Sequence, residues 1–248
     1  MMLRFAINFL SLSFVVLNNY LANALPFNNL TTGEIANRLT VLFTPAGYVF
    51  SIWGLIYFLL FIWVLRSLPK KRQDLPLYKK ATPLFVLTCF LNSFWLFLWH
   101  YEYFVLSVVV MIAFLVTLIF LYKTVKSVST SFSDLLPFSV YLGWISVATI
   151  ANISYVLVDV GWDRFGFSDI FWTISMLIVA TVLAIFFRVK ENDFVYPLVF
   201  VWAFIGIAVK NLAVVPIVAY AAFILASFIF VWALFGRRNQ YTILFFKK

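Results

Sequence analysis

The stretch FTPAGYVFSIWGLIY, Phe43 to Tyr57, decides how the rest of the chain is read. It opens as a broken loop and closes inside an apolar helix. Pro45 and Gly47 interrupt the backbone, and the segment then runs apolar and aromatic as far as Leu65. Proline suits the first turn of a helix, where its missing N–H would have had no intrahelical partner anyway. A helix therefore enters a membrane near Pro45, with Tyr48, Phe50, Trp53 and Tyr57 loaded onto its first turns. Such rings form either an interfacial belt or one wall of a ligand pocket. This stretch alone does not choose between the two.

The composition fixes the solvent. The 248 residues are 65% hydrophobic and 11% charged, and the apolar residues fall in several runs of roughly membrane-spanning length. Soluble domains do not have this profile. The runs are too long and too unalternating for barrel strands, and backbone in lipid must satisfy its own hydrogen bonds. The expectation is an all-α, polytopic membrane helix bundle. The formal net charge of +9 reflects basic loops flanking the apolar runs rather than nucleic acid as a partner. The single cysteine, Cys89, lies in an apolar run and excludes an internal disulfide or a cysteine metal cluster. It reads as a small packing residue. The single histidine, His100, stands beside Glu102 at a helix end and reads as solvent-facing. No metal ligands and no resident cofactor are expected.

Eight helices follow from the runs: Phe5–Leu25, Pro45–Arg66, Ala81–Trp99, Phe104–Tyr122, Leu135–Leu157, Ile170–Phe187, Phe194–Val209 and Val214–Phe235. A signal peptide competes for the first run, since Ala22-Asn23-Ala24 fits a cleavage pattern. Asn18 and Asn19 favour a retained helix, because they are useful inside a bundle. Pro26 to Thr44 reads as a polar loop. Arg66 to Lys80 is the most basic stretch, a topology-setting loop with a lipid-headgroup site as the alternative. The seventh run is short, and charge decides whether it stands alone. With eight helices, all 18 Lys and Arg except Arg38, Arg164 and Lys210 fall on one side, including Arg237, Arg238, Lys247 and Lys248 in the tail. Merging the last two helices would move the tail across and blur this bias. Both termini are therefore expected in the cytoplasm, with a bacterial cytoplasmic membrane as the setting.

Two helices carry polar groups on aromatic faces. Asn92, Trp95 and Trp99 share a face of the third by spacings of three and four. Tyr141, Trp144, Ala148 and Asn152 share a face of the fifth, with Thr149 beside them. A carboxamide in hydrocarbon is costly without a partner, so both faces point inward. Two uses fit them. One is interhelical hydrogen-bond glue with aromatic packing. The other is a site that holds a planar, apolar ligand by stacking and one or two hydrogen bonds.

These motifs resemble the tryptophan-rich sensory protein family, also called the translocator protein or TspO/MBR family. The family shows a Pro-Pro-x-Trp-Val-Phe entry followed by a Trp and a Tyr, an Asn-x-x-Trp on the third helix, and a Tyr-x-x-Trp-x-x-x-Ala-Thr-x-x-Asn on the fifth. Here stand Pro45-Ala46-Gly47-Tyr48-Val49-Phe50, then Trp53 and Tyr57, Asn92-Ser93-Phe94-Trp95, and Tyr141 to Asn152 with Trp144, Ala148 and Thr149 in place. Ala46 replaces the second Pro, Tyr48 the first Trp, and Val140 a Pro. The interval from Phe50 to Trp53 is one residue short, which would turn Trp53 by about 100° relative to the entry turn unless the loop absorbs it. The resemblance covers residues 1–157. Residues 158–248 add three helices, so the chain reads as a long form of the family.

The resemblance implies a five-helix core with an internal pocket, capped by the loop after the first helix. It implies a receptor, sensor or transporter of porphyrin- or sterol-like ligands, with a porphyrin or haem-like molecule as cargo rather than cofactor. The implied ligand-binding residues are Tyr48, Phe50, Trp53, Asn92, Trp95, Trp144, Ala148 and Asn152. Implied partners are membrane lipids, the hydrophobic small-molecule ligand and a second copy in a homodimer. An enzyme is not expected, because no acid–base pair sits inside the membrane. The alternatives are Trp-assisted oxidative porphyrin breakdown and a structural, partner-binding role for the added helices.

Overall fold

Every regular element of the computed structural model, which describes residues 2–24 and 27–236, is a helix. The basic residues Arg237, Arg238, Lys247 and Lys248 lie outside the described residues. The long helices are α1 (Met2–Ala24), α2 (Ile52–Leu65), α3 (Pro76–His100), α4 (Phe104–Val128), α5 (Phe132–Asp159), α6 (Asp169–Glu191), α7 (Val195–Asn211) and α8 (Pro216–Phe235). A 3₁₀ turn, Gly47–Ser51, leads into α2 and brings that span to 19 residues. Among the described residues, seven spans are long and apolar enough to cross a membrane, and α7 is a shorter apolar helix of 17 residues. The chain is a polytopic helical membrane protein.

The first five helices form a bundle in which α3 packs on α1 and α4, and α5 packs on α2 and α4. The asparagines of α1 explain much of its docking. Asn8 donates to Thr82 Oγ1 at 3.1 Å, Asn18 to Ser93 Oγ at 3.2 Å and Asn19 to Asn92 Oδ1 at 3.3 Å. Asn8 and Asn19 are about three helical turns apart, so one face of α1 reads the same face of α3 twice.

The three added helices pack among themselves and reach the bundle through α7. Gly143 on α5 makes this approach feasible. A Cβ there would lie 2.9 Å from Val199 Cβ and 3.0 Å from the Tyr196 carbonyl oxygen. Gly206 does the same where α7 crosses the start of α2. A Cβ on Gly206 would overlap Val49 and lie 3.2 Å from Pro45 Cβ.

The two ends of the bundle differ in charge. Arg66, Arg72, Lys126, Arg188 and Lys190 gather where α2, α4 and α6 end. There the buried Asp134 carboxylate accepts from Arg66 at 3.1 Å, Arg72 at 2.6 Å and Ser129 at 2.9 Å. Asp193 is buried at the same end. It accepts from Tyr122 of α4 at 2.8 Å, Ser139 of α5 at 2.5 Å and the backbone N–H of Val195 at 2.8 Å. A carboxylate suits the start of α7, where unpaired N–H groups favour negative charge. The opposite end carries Arg38, Arg164 and Lys210, the three basic residues that the sequence separates from the rest.

The segment after α1 departs from the polar loop expected for Pro26 to Thr44. It contains a short helix, Thr32–Asn37. The Thr31 hydroxyl accepts from Glu34 N at 3.2 Å, while the Glu34 carboxylate accepts from Thr31 N at 2.7 Å. This reciprocal cap satisfies two otherwise unpaired N–H groups. The Thr31 backbone N–H and then its hydroxyl hold the Glu34 carboxyl below the usual carboxylate range. His100 also departs from expectation, since it is fully buried. The segment folds back over it. Thr32 Oγ1 lies 3.0 Å from Nε2 and the Phe27 carbonyl oxygen 3.3 Å from Nδ1. A carbonyl can only accept, so Nδ1 carries the proton and Nε2 accepts from Thr32.

Candidate functional site

The site begins with the 3₁₀ turn. At about 3.0 residues per turn, residues three apart eclipse one another. Phe50 and Trp53 therefore lie along one line despite the shortened interval, and both face the bundle interior. The overwound turn absorbs the missing residue. Tyr48, two positions before Phe50, leaves on the other side. It is 46% exposed, and its ring meets Trp202 of α7 edge-on at 5.6 Å.

Phe50 and Trp53 meet the aromatic faces of α3 and α5. Trp144 receives Phe50 edge-on at 5.8 Å and Trp53 edge-on at 6.3 Å. Trp95 and Trp99, one turn apart on α3, stack at 5.7 Å, and Tyr155 of α5 closes on Trp99 at 4.8 Å. These rings bound two adjoining cavities. The larger, about 440 Å³, lies between α1 (Val16, Asn19, Tyr20), the Thr31–Gly33 segment, the 3₁₀ turn (Gly47, Phe50) and the start of α2 (Trp53, Gly54, Tyr57). The smaller, about 60 Å³, lies among Trp99, Trp144, Ala148, Ala151, Asn152 and Tyr155. Thr32, Phe50, Trp53 and Trp95 line both, so these side chains form the partition between them.

The two carboxamides are spent on the protein. Asn92 is fully buried and donates to Tyr141 Oη at 2.8 Å and to Tyr57 Oη at 3.4 Å, while it accepts from Asn19. It ties α1, α2, α3 and α5 together and lies outside the walls of both cavities. Asn152 borders the smaller cavity, yet its oxygen accepts from Trp95 Nε1 at 2.9 Å and its nitrogen donates to Ser107 Oγ at 3.1 Å. Trp144 is the contrast. Its Nε1 is buried and has no hydrogen-bond partner, and its ring forms part of the cavity wall. Trp63 Nε1 is likewise unpartnered, but that ring packs among Tyr78, Phe85 and Phe138.

Of the residues predicted to bind a ligand, the structure brings Phe50, Trp53, Trp95, Trp144, Ala148 and Asn152 to the cavities. Tyr48 and Asn92 stand apart from them. Trp99 and Tyr155 join the walls, and both continue the spacings that carry Trp95 and Asn152, so the sequence held their signal. Thr32 left no such signal, because only the fold-back of its segment brings it there. Among the described residues, no three His, Cys, Asp or Glu side chains converge as metal ligands would.

The partition is held from behind by α7. Ala46 N donates to the Gly206 carbonyl at 3.1 Å, Trp202 Nε1 to the Val49 carbonyl at 3.1 Å and Asn211 Nδ2 to the Leu42 carbonyl at 2.9 Å. The turn that carries Phe50 and Trp53 is thus fastened to an added helix.

Comparison with known proteins reaches further along the chain than the resemblance over residues 1–157. No curated protein and no solved structure matches the chain. A family model described as TSPO-like protein matches residues 5–235, from α1 through α8. The chain belongs to the TSPO-like protein family.

Proposed function

We propose that this protein is a non-enzymatic membrane receptor or transporter for a planar, hydrophobic ligand of porphyrin- or sterol-like shape. The ligand enters the larger cavity and displaces the Phe50 and Trp53 side chains of the partition, so that it reaches the smaller cavity that Trp144 lines. The observation that carries this reading is the unpartnered Trp144 indole N–H in the mainly apolar wall of the smaller cavity. An unmet buried donor costs about 1–3 kcal/mol, and an acceptor on a ligand would recover that cost. A cavity of about 440 Å³ also falls within the roughly 300–1,000 Å³ usual for small-molecule sites. The charge asymmetry of the two ends supports a cytoplasmic position for both termini. A reporter fused after Lys248 that is active only outside the cell would overturn that orientation.

The test is a titration of purified, detergent-solubilised protein with protoporphyrin IX, followed by tryptophan fluorescence quenching. Saturable quenching is expected. Trp144→Phe keeps an aromatic face, though a smaller one, and removes the donor, so it should weaken binding by at least about two- to tenfold, the equivalent of roughly 0.5–1.5 kcal/mol for one net hydrogen bond. Linear quenching, identical in both proteins, would mean partitioning into detergent and would remove the site.

A further inference from the structure

A third cavity, of about 250 Å³, lies on another side of α5 and shares no residue with the aromatic site. It occupies the seam left because α6 packs on α7 and α8 and makes little contact with α5. Its walls are mainly apolar, with Leu42 and Phe43 from the segment before α2, Leu157 from α5 and Met176 from α6. At its rim stand Arg164 and Asp169, whose side chains are 32% and 53% exposed and form an ion pair with each other.

The rim is built at a cost. Arg164 and Phe165 both adopt left-handed backbone, with φ of 60° and 51°. Each such non-glycine residue costs about 1–2 kcal/mol. The turn is held by Trp172 Nε1, which donates to the Arg164 carbonyl at 2.9 Å, and by Asp163, which accepts from Phe165 N at 3.0 Å. Strain of this kind points from an observed outlier toward a use. Here it sets a guanidinium and a carboxylate side by side over the mouth of an apolar cavity, at the membrane-surface end of α5 and α6.

We infer that this cavity holds the headgroup-proximal half of one acyl chain of a zwitterionic phospholipid, with the phosphate on Arg164 and the ammonium on Asp169. Size argues for a chain. The cavity has room for about eight waters at roughly 30 Å³ each, and its 250 Å³ is less than the roughly 300–1,000 Å³ of a typical small-molecule site. A thin methylene chain fits such a space and a macrocycle does not. Charge argues for the headgroup. A lipid with only negative charge would set that charge against Asp169, whereas phosphate and ammonium together meet both members of the pair. The Trp162 and Trp172 rings beside the pair suit the headgroup level and can receive the ammonium on their faces. This inference is independent of the ligand proposed for the aromatic cavity.

The test is native mass spectrometry of delipidated protein given phosphatidylcholine and phosphatidylglycerol of identical chains in equal amounts. The wild-type protein should retain one phosphatidylcholine at no less than fivefold higher occupancy than phosphatidylglycerol. Met176→Trp fills the cavity and should lower phosphatidylcholine occupancy by a similar factor. Asp169→Lys, at an exposed position that spares the fold, should turn the preference toward phosphatidylglycerol. Equal retention of the two lipids by the wild type would overturn the inference, as would a headgroup preference untouched by Asp169→Lys. Phosphatidylcholine occupancy unaltered in a folded Met176→Trp protein would overturn it equally.

Discussion

Gly54→Phe should weaken protoporphyrin IX binding by tenfold or more while the protein stays folded. Gly54 lies on α2 in the wall of the larger cavity, and a Cβ added there meets nothing within 4 Å. The new side chain therefore grows into open space rather than into a neighbour. Glycine inside a helix costs roughly 0.5–1 kcal/mol relative to alanine, so the backbone gains stability from the exchange. The phenyl ring takes the place of the ligand beside Trp53 and Tyr57. This effect exceeds that of Trp144→Phe, since it removes volume rather than one hydrogen bond. Two readings separate the outcomes: quenching for affinity, and thermal unfolding in detergent for the fold. Full affinity in a folded Gly54→Phe protein would place the ligand elsewhere and leave the cavity as a packing defect.

The sequence carried the helices and the inward faces, because both follow from periodicity. Asn92, Trp95 and Trp99 had to share a face, and so did Trp144, Ala148 and Asn152. What periodicity does not carry is the partner of each polar group. Glue and site were both open for the two asparagines, and the structure divides the roles. The carboxamides join helices, while Trp144 keeps an unmet donor among the rings. The shortened interval from Phe50 to Trp53 leaves two outcomes open in the sequence, a rotated wall or a turn that absorbs the missing residue. A turn with three residues per repeat restores the alignment and sends Tyr48 outward. Thr31-Thr32-Gly33-Glu34 forms a capping box, a helix start that the polarity of the Pro26 to Thr44 stretch masks. The burial of His100 is tertiary in origin. Nothing near it in sequence reveals that residues 27–37 fold back and bury it. Gly206 was opaque in the same way, since its use depends on a segment more than 150 residues earlier in the chain.

That long-range contact gives the added helices a task, and it supports a second large effect. Gly206→Ala should lower the thermal stability of the protein and its affinity for protoporphyrin IX together. The new methyl group would overlap Val49 and crowd Pro45. Relief requires α7 to move off the entry turn. Overpacking of this kind costs about 1–3 kcal/mol. The loss should reach the cavity, because the same contact carries the Ala46 and Trp202 hydrogen bonds that hold the turn bearing Phe50 and Trp53. A purely local defect would lower stability and leave affinity intact. The double-mutant cycle with Val49→Ala decides the matter. Val49→Ala removes the methyl groups that collide with position 206, so it should restore a large part of both losses in the double variant. If the two changes simply add, the clash is not the cause. If stability recovers and affinity does not, α7 supports the bundle without setting the cavity wall. Recovery of both would make α7 the brace of the ligand site, and would explain why a five-helix cavity is fastened to three further helices.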